Sequence, residues 1–155
     1  MEQAVFRHTH RVTYAECTLG NHVYYSRYLD LLEAARNEFF RHLGAPFLQL
    51  QEQGVLFPVL ECHLRYHAPA RYDDLLTIEV RLAQAERARL RVACRVLNQA
   101  GSLLVEAETQ HVCTDLQNRP RRLPADLCER LRPWVCGSQP AAQTAGGKPT
   151  AAAAP

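Results

Sequence analysis

Histidine and cysteine are the side chains whose chemistry depends most on spacing, and here the spacing is wrong for a metal. Cys17, Cys62, Cys94, Cys113, Cys128 and Cys136 are scattered, with no C-x-x-C pair. They read as reduced thiols of a cytoplasmic protein rather than as a disulfide frame or a zinc knuckle. His63 and His67 share one face of an alternating segment. Four residues of strand separate them by ~13 Å, too far to hold one ion. They are read as interface polar groups, His8 and His10 as strand polar groups, and no metal site is expected. The other concentration of reactive types lies between Glu16 and Arg36. It contains carboxylates (Glu16, Glu33), hydroxyls (Thr18, Tyr24, Tyr25, Tyr28), an imidazole (His22) and a guanidinium (Arg36).

The whole chain sets limits on that chemistry. Its 155 residues are 47% hydrophobic and 22% charged, the composition of one globular domain. The formal net charge is +2, every basic residue except Lys148 is arginine, and acids are interleaved among them. No basic arm for nucleic acid results. No apolar run approaches the ~18 residues of a membrane span. The opening MEQAVFRHTHR has no apolar stretch of a secretory signal. From Gly137 the chain is Ala, Gly, Pro and small polar residues, too poor in large apolar groups to offset its ordering entropy. The expectation is therefore a folded domain over 1–136 and a disordered tail over 137–155.

Within the domain, Tyr28, Leu31, Leu32, Ala35, Phe39 and Leu43 recur at helical spacing. Ser26 is the expected N-cap, Gly44 the C′ residue, and Pro46 stops propagation. Leu29, Ala34 and Phe40 widen the apolar face, so something should wrap this helix, most simply a sheet. Period-two alternation predicts strands over 60–67, 76–82 and 90–96. A fourth runs over 103–114 after the turn Asn98-Gln99-Ala100-Gly101, and an earlier strand over 5–14 precedes the helix. Short links predict hairpin succession of the last four strands, and a final helix is expected near 125–131. One long helix against a curved antiparallel sheet is an α+β architecture.

Three stretches carry a family resemblance, in order and across nearly the whole domain. Gly20-Asn21-His22-Val23-Tyr24-Tyr25 leads into Tyr28-Leu29-Asp30-Leu31-Leu32-Glu33-Ala34-Ala35-Arg36. Tyr66-His67-Ala68-Pro69-Ala70-Arg71-Tyr72-Asp73-Asp74-Leu75-Leu76 follows. The third stretch is Ala107-Glu108-Thr109 through Val112-Cys113-Thr114-Asp115, with Arg119-Pro120 and Leu123-Pro124 beyond. Together they resemble the hot-dog acyl-CoA thioesterases of the 4-hydroxybenzoyl-CoA thioesterase-like group, in which a curved sheet wraps a long central helix.

The resemblance implies hydrolysis of the thioester of an acyl-CoA or of an acyl-carrier protein. It implies no cofactor beyond the coenzyme A of the substrate. Edge-to-edge pairing into a homodimer, or a homotetramer through the arginine-bearing strand faces (Arg65, Arg81, Arg89, Arg91, Arg95), is expected. Unpaired amides at the helix N-terminus, around Tyr25 to Tyr28, would hold the oxyanion. The group's usual loop Asp aligns with Thr18, and a hydroxyl is no general base at neutral pH. Thr18 would then act with a nearby acid and His, as in fluoroacetyl-CoA thioesterases. Alternatively Tyr28 and Arg36 work without a carboxylate, as in enediyne polyketide thioesterases, or Glu16, two residues away on an extended chain, substitutes. Thr18, Tyr25, Tyr28, Arg36 and Glu16 are the catalytic candidates. His22, Val23, Tyr24, Glu33 and Arg71 are the substrate-binding ones, Arg71 toward the phosphates of coenzyme A.

Each also has a structural explanation: a loop hydroxyl for Thr18, an ion pair for Glu33 and Arg36, packing for the tyrosines, solvent for His22. A binding protein that has lost the acid is the rival reading. A dehydratase is disfavoured because its His and acid pattern is not apparent around Asp30 and Glu33.

Overall fold

The computed structural model describes residues 4–136; the expected tail over 137–155 lies outside them. Strand β1 (Phe6–Arg11) is followed by a 3-10 turn at Tyr14–Glu16 and a miniature hairpin, β2 (Cys17–Thr18) and β3 (His22–Val23). Helix α1 (Arg27–His42), a short α2 (Phe47–Glu52), β4 (Val59–Tyr66), β5 (Leu75–Glu86), β6 (Arg89–Leu97), β7 (Leu103–Val112), α3 (Ala125–Leu131) and a last 3-10 turn at Arg132–Trp134 follow. The α+β hot-dog expectation holds: a five-stranded antiparallel sheet packs against one long helix.

Helix α1 ends where Gly44 adopts φ +70° and donates to the Arg41 carbonyl, a conformation that costs glycine little. Pro46 follows the closed end of α1 and is the N-cap of α2. Ser26 occupies the N-cap position, but its hydroxyl makes no capping bond. Tyr28, Leu31, Leu32, Ala35, Phe39 and Phe40 are buried against Leu76, Ile78, Val80 and Leu82 of β5, each 0% exposed. Fully burying such a side chain is worth about 1.5–3 kcal/mol, so this layer dominates the fold.

Two expectations are corrected. The last four strands do not follow in hairpin succession: the order is β1-β5-β6-β7-β4. β5, β6 and β7 are successive hairpins, whereas β4 pairs with β7 at the far edge. Three strand spacings of ~4.8 Å lie between β4 and β5, which the extended link over 67–74 spans easily. Alternation sets which way a side chain faces but not which strand lies beside it. The wrapping of α1 is also incomplete, since Leu29 and Ala34 are exposed, and so are Val59, Leu60 and Tyr66 on β4.

The sheet face away from α1 is polar. At its centre Glu79, 8% exposed, is surrounded by Arg7 at 3.2 Å, Arg81 at 3.4 Å and Arg95 at 3.6 Å. Among the described residues no helix is long and apolar enough to cross a membrane.

Candidate active site

The hairpin before α1 is shaped by its turn. Gly20 (φ +87°) and Asn21 (φ +55°) both take left-handed backbone, which a glycine and an asparagine tolerate best. Thr18 and His22 consequently face each other directly in the β2–β3 ladder, and side chains so paired lie side by side. The link from β4 to β5 then crosses this hairpin. Val23 N–H donates to the Ala70 carbonyl at 2.8 Å, and Ala70 N–H donates to the buried Tyr28 hydroxyl at 3.0 Å.

These pieces enclose a cavity of about 410 Å³ lined by Thr18, His22, Val23, Tyr24, Tyr25, Tyr28, Tyr66 and His67, with Ala68 and Pro69. No carboxylate is in that lining. Tyr66 donates its hydroxyl to the Tyr25 carbonyl at 2.9 Å and meets the Tyr28 ring edge-on at 5.5 Å. Burial raises the Tyr28 hydroxyl above its ordinary value, a shift the Ala70 amide only partly offsets, so it stays protonated. Its own proton has no acceptor among the described residues. The backbone N–H groups of Tyr25, Ser26 and Tyr28 likewise meet no acceptor among the described residues, as expected of a helix start without a cap.

Of the sequence candidates, Thr18, His22, Val23, Tyr24, Tyr25 and Tyr28 converge on this cavity, and the others do not. Glu16 is not on extended chain beside Thr18. It lies in the 3-10 turn, where its carboxylate accepts from Thr13 N–H at 2.6 Å and from His10 Nε2 at 2.8 Å. Burial works to raise its pKa, but the Thr13 and His10 hydrogen bonds outweigh it and hold the group below the usual glutamate value. The correction has a local cause: Thr13 and Glu16 form a capping box, which competes with any extended arrangement. Arg71 is exposed beside the cavity, with Nη1 3.4 Å from the Asn21 carbonyl. Glu33 and Arg36 line a second cavity farther down α1, and they form no ion pair with each other, because Arg36 instead approaches Thr109.

Tyr66 and His67 were not singled out from sequence as site residues. His67 Nε2 lies 2.9 Å from Glu106 Oε2, so a histidine–carboxylate pair borders the cavity. The available signal was the proline two residues on, which ends β4 and turns the chain over the helix start.

A long helix packed on an antiparallel sheet, with its uncapped N-terminus beside a hydroxyl-lined cavity, defines a hot-dog protein. The profile of the Thioesterase-like superfamily matches residues 12–131, and the chain belongs to that family. It is 35% identical over 133 residues to the acyl-CoA thioester hydrolase YbgC of Escherichia coli O6:H1, covering 85% of this chain and 99% of that protein. Among solved structures, hypothetical protein TT1821 of Thermus thermophilus superposes with a TM-score of 0.78 at 34% identity, over 83% of this chain and 98% of that one. A probable thioesterase from Bartonella henselae gives 0.73 at 31% identity, over 78% and 100%.

Proposed function

We propose that this chain hydrolyses the thioester of an acyl-CoA, or of an acyl-carrier protein, at the helix-start cavity without a catalytic carboxylate. The observation that carries this reading is the pairing of Thr18 with His22 in a cavity lined by no acid, at a helix start whose Tyr25 and Tyr28 amides are unspent. His22 takes a proton from water as the water oxygen bonds to the thioester carbon, imidazole being the side chain suited to proton transfer near neutral pH. The oxyanion is held by the amides of Tyr25, Ser26 and Tyr28, with the Tyr28 and Thr18 hydroxyls as further donors. Losing one such donor costs about 3 kcal/mol of transition-state stabilisation in other enzymes. Collapse breaks the C–S bond, and the departing thiolate recovers the proton from His22. Arg71 at the rim is placed to meet coenzyme A phosphate.

The working unit in this reading is a cytoplasmic homodimer, or a homotetramer built from it. β4 is an edge strand whose outer backbone edge has no ladder partner among the described residues and whose Val59, Leu60 and Tyr66 are exposed; antiparallel pairing with a second β4 would cover both.

Free-thiol release from a panel of aliphatic and aromatic acyl-CoAs and an acyl-carrier protein tests the chemistry. Thr18→Ala and Tyr28→Phe are each expected to slow turnover by about a hundredfold. Tight acyl-CoA binding with no thiol release above background would instead identify a binding protein and end the hydrolase reading.

A further inference from the structure

The second cavity, about 550 Å³, is built unlike the first. Phe47, Leu48, Val55, Leu56, Phe57 and Leu90 form its apolar side, and Phe47 stacks on buried Phe40 at 4.5 Å. Arg36 enters this apolar surround from α1. A guanidinium carries five N–H donors, yet Arg36 makes one long bond, Nη1 to Thr109 Oγ1 at 3.5 Å. Among the described residues it pairs with no carboxylate. Glu33, one turn earlier, lines the same cavity but is exposed and unpaired with it.

Beneath Arg36 the polar groups form a chain with a direction. His111, 2% exposed, contacts the Phe57 carbonyl through Nδ1 at 3.1 Å and Thr109 Oγ1 through Nε2 at 2.9 Å. A carbonyl only accepts, so Nδ1 carries the proton and Nε2 accepts from the Thr109 hydroxyl. The Thr109 oxygen therefore turns its lone pairs to Arg36. Burial, with a smaller push from the Arg36 charge, holds His111 below its ordinary value, in keeping with a neutral ring. The guanidinium is fixed from below while its other donors remain unspent.

The two cavities lie along one strip. β4 runs from Tyr66 in the first, past Leu64 and Cys62, the latter opposite Thr109, to Val59 in the second. Along α1, the eight residues from Tyr28 to Arg36 span ~12 Å. Building on thioester hydrolysis at the first cavity, we infer that the second receives the far end of the acyl group. There Arg36 selects chains of medium length that end in an oxygen acceptor, a carboxylate above all, with Thr109 and His111 as positioning residues. A weakly hydrated guanidinium in apolar surroundings favours such a partner by charge-assisted, bidentate bonding.

The test compares kcat/KM for decanoyl-CoA and sebacoyl-CoA, which have the same chain length and differ in the terminal carboxylate. The intact protein should prefer sebacoyl-CoA by about tenfold or more. Arg36→Met should bring that ratio close to one, and Arg36→Lys should restore part of it. Thr109→Val and His111→Phe should each lower the ratio by about threefold, a change that a merely structural role would not produce; should Arg36→Met fail to fold, these two carry the test. Hydrolysis of both substrates without preference would overturn the inference. So would an equal loss on both in Arg36→Met, which would assign Arg36 to the reacting carbonyl. Failure to hydrolyse any thioester would overturn the hydrolase reading itself.

Discussion

β4 and β5 present the same alternation of apolar and polar residues, yet they have opposite fates. On β5 the inward residues Leu76, Ile78, Val80 and Leu82 are sealed beneath α1. On β4 the matching row, Cys62, Leu64 and Tyr66, borders an open strip between the two cavities, and Leu60 and Tyr66 are about half exposed. Apolar burial drives folding in proportion to the area removed from water. β5 therefore supports the stability of a single chain, while β4 leaves apolar surface exposed at the sheet edge, where the proposed dimer would form.

Substitutions can break this contrast or sharpen it. The largest expected effect is Ile78→Ala, a loss of about 4 kcal/mol from deleting core volume at a fully buried site. Leu64→Ala on β4 should cost only about 1 kcal/mol at dilutions where single copies prevail. Chemical denaturation at two protein concentrations measures both. Equal losses at low concentration would show that β4 is as enclosed as β5. Next is Leu60→Glu, which places a charge on the open edge. It should raise the dimer dissociation constant by about a hundredfold, or nearly 3 kcal/mol, while leaving the melting of the single chain within a few degrees. Sedimentation velocity reads the first and thermal melting the second. An unchanged association state would remove β4 from the interface.

The smallest effect concerns Glu16, which neither strand covers. Its folded value is depressed, so its contribution is present above the unfolded glutamate value of 4.5 and is lost as pH falls through the folded one. Glu16→Gln should cost about 1 kcal/mol at neutral pH, the scale of a lost cap. It should also flatten the acid limb of the stability profile. An acid limb as steep as the parent's would mean that the Thr13 and His10 bonds do not stabilise the carboxylate.

What the sequence disclosed follows local physics. The run from Tyr28 to Leu43, with Gly44 and Pro46 after it, defined α1 because spacing and caps are properties of neighbouring residues. The hairpin residues Thr18 and His22 and the helix-start tyrosines were readable for the same reason, supported by the family resemblance. The position of β4 beside β7 was not, because its register depends on residues some forty positions away. Glu16 was misplaced because a capping box with Thr13 overrode extended backbone. Arg36 lies ~12 Å along α1 from Tyr28, and the second cavity it faces depends on Phe47 and Phe57 from other segments, which local spacing does not supply.

The hydrogen bond from Ala70 to Tyr28 joins groups 42 residues apart. It forms only once the chain has left the helix, run along β4 and come back over the hairpin toward β5. The cavity at the helix start therefore closes only after a loop of that length has formed. A nascent chain halted before this return would display its helix with the cavity wall at Ala68 and Pro69 still missing.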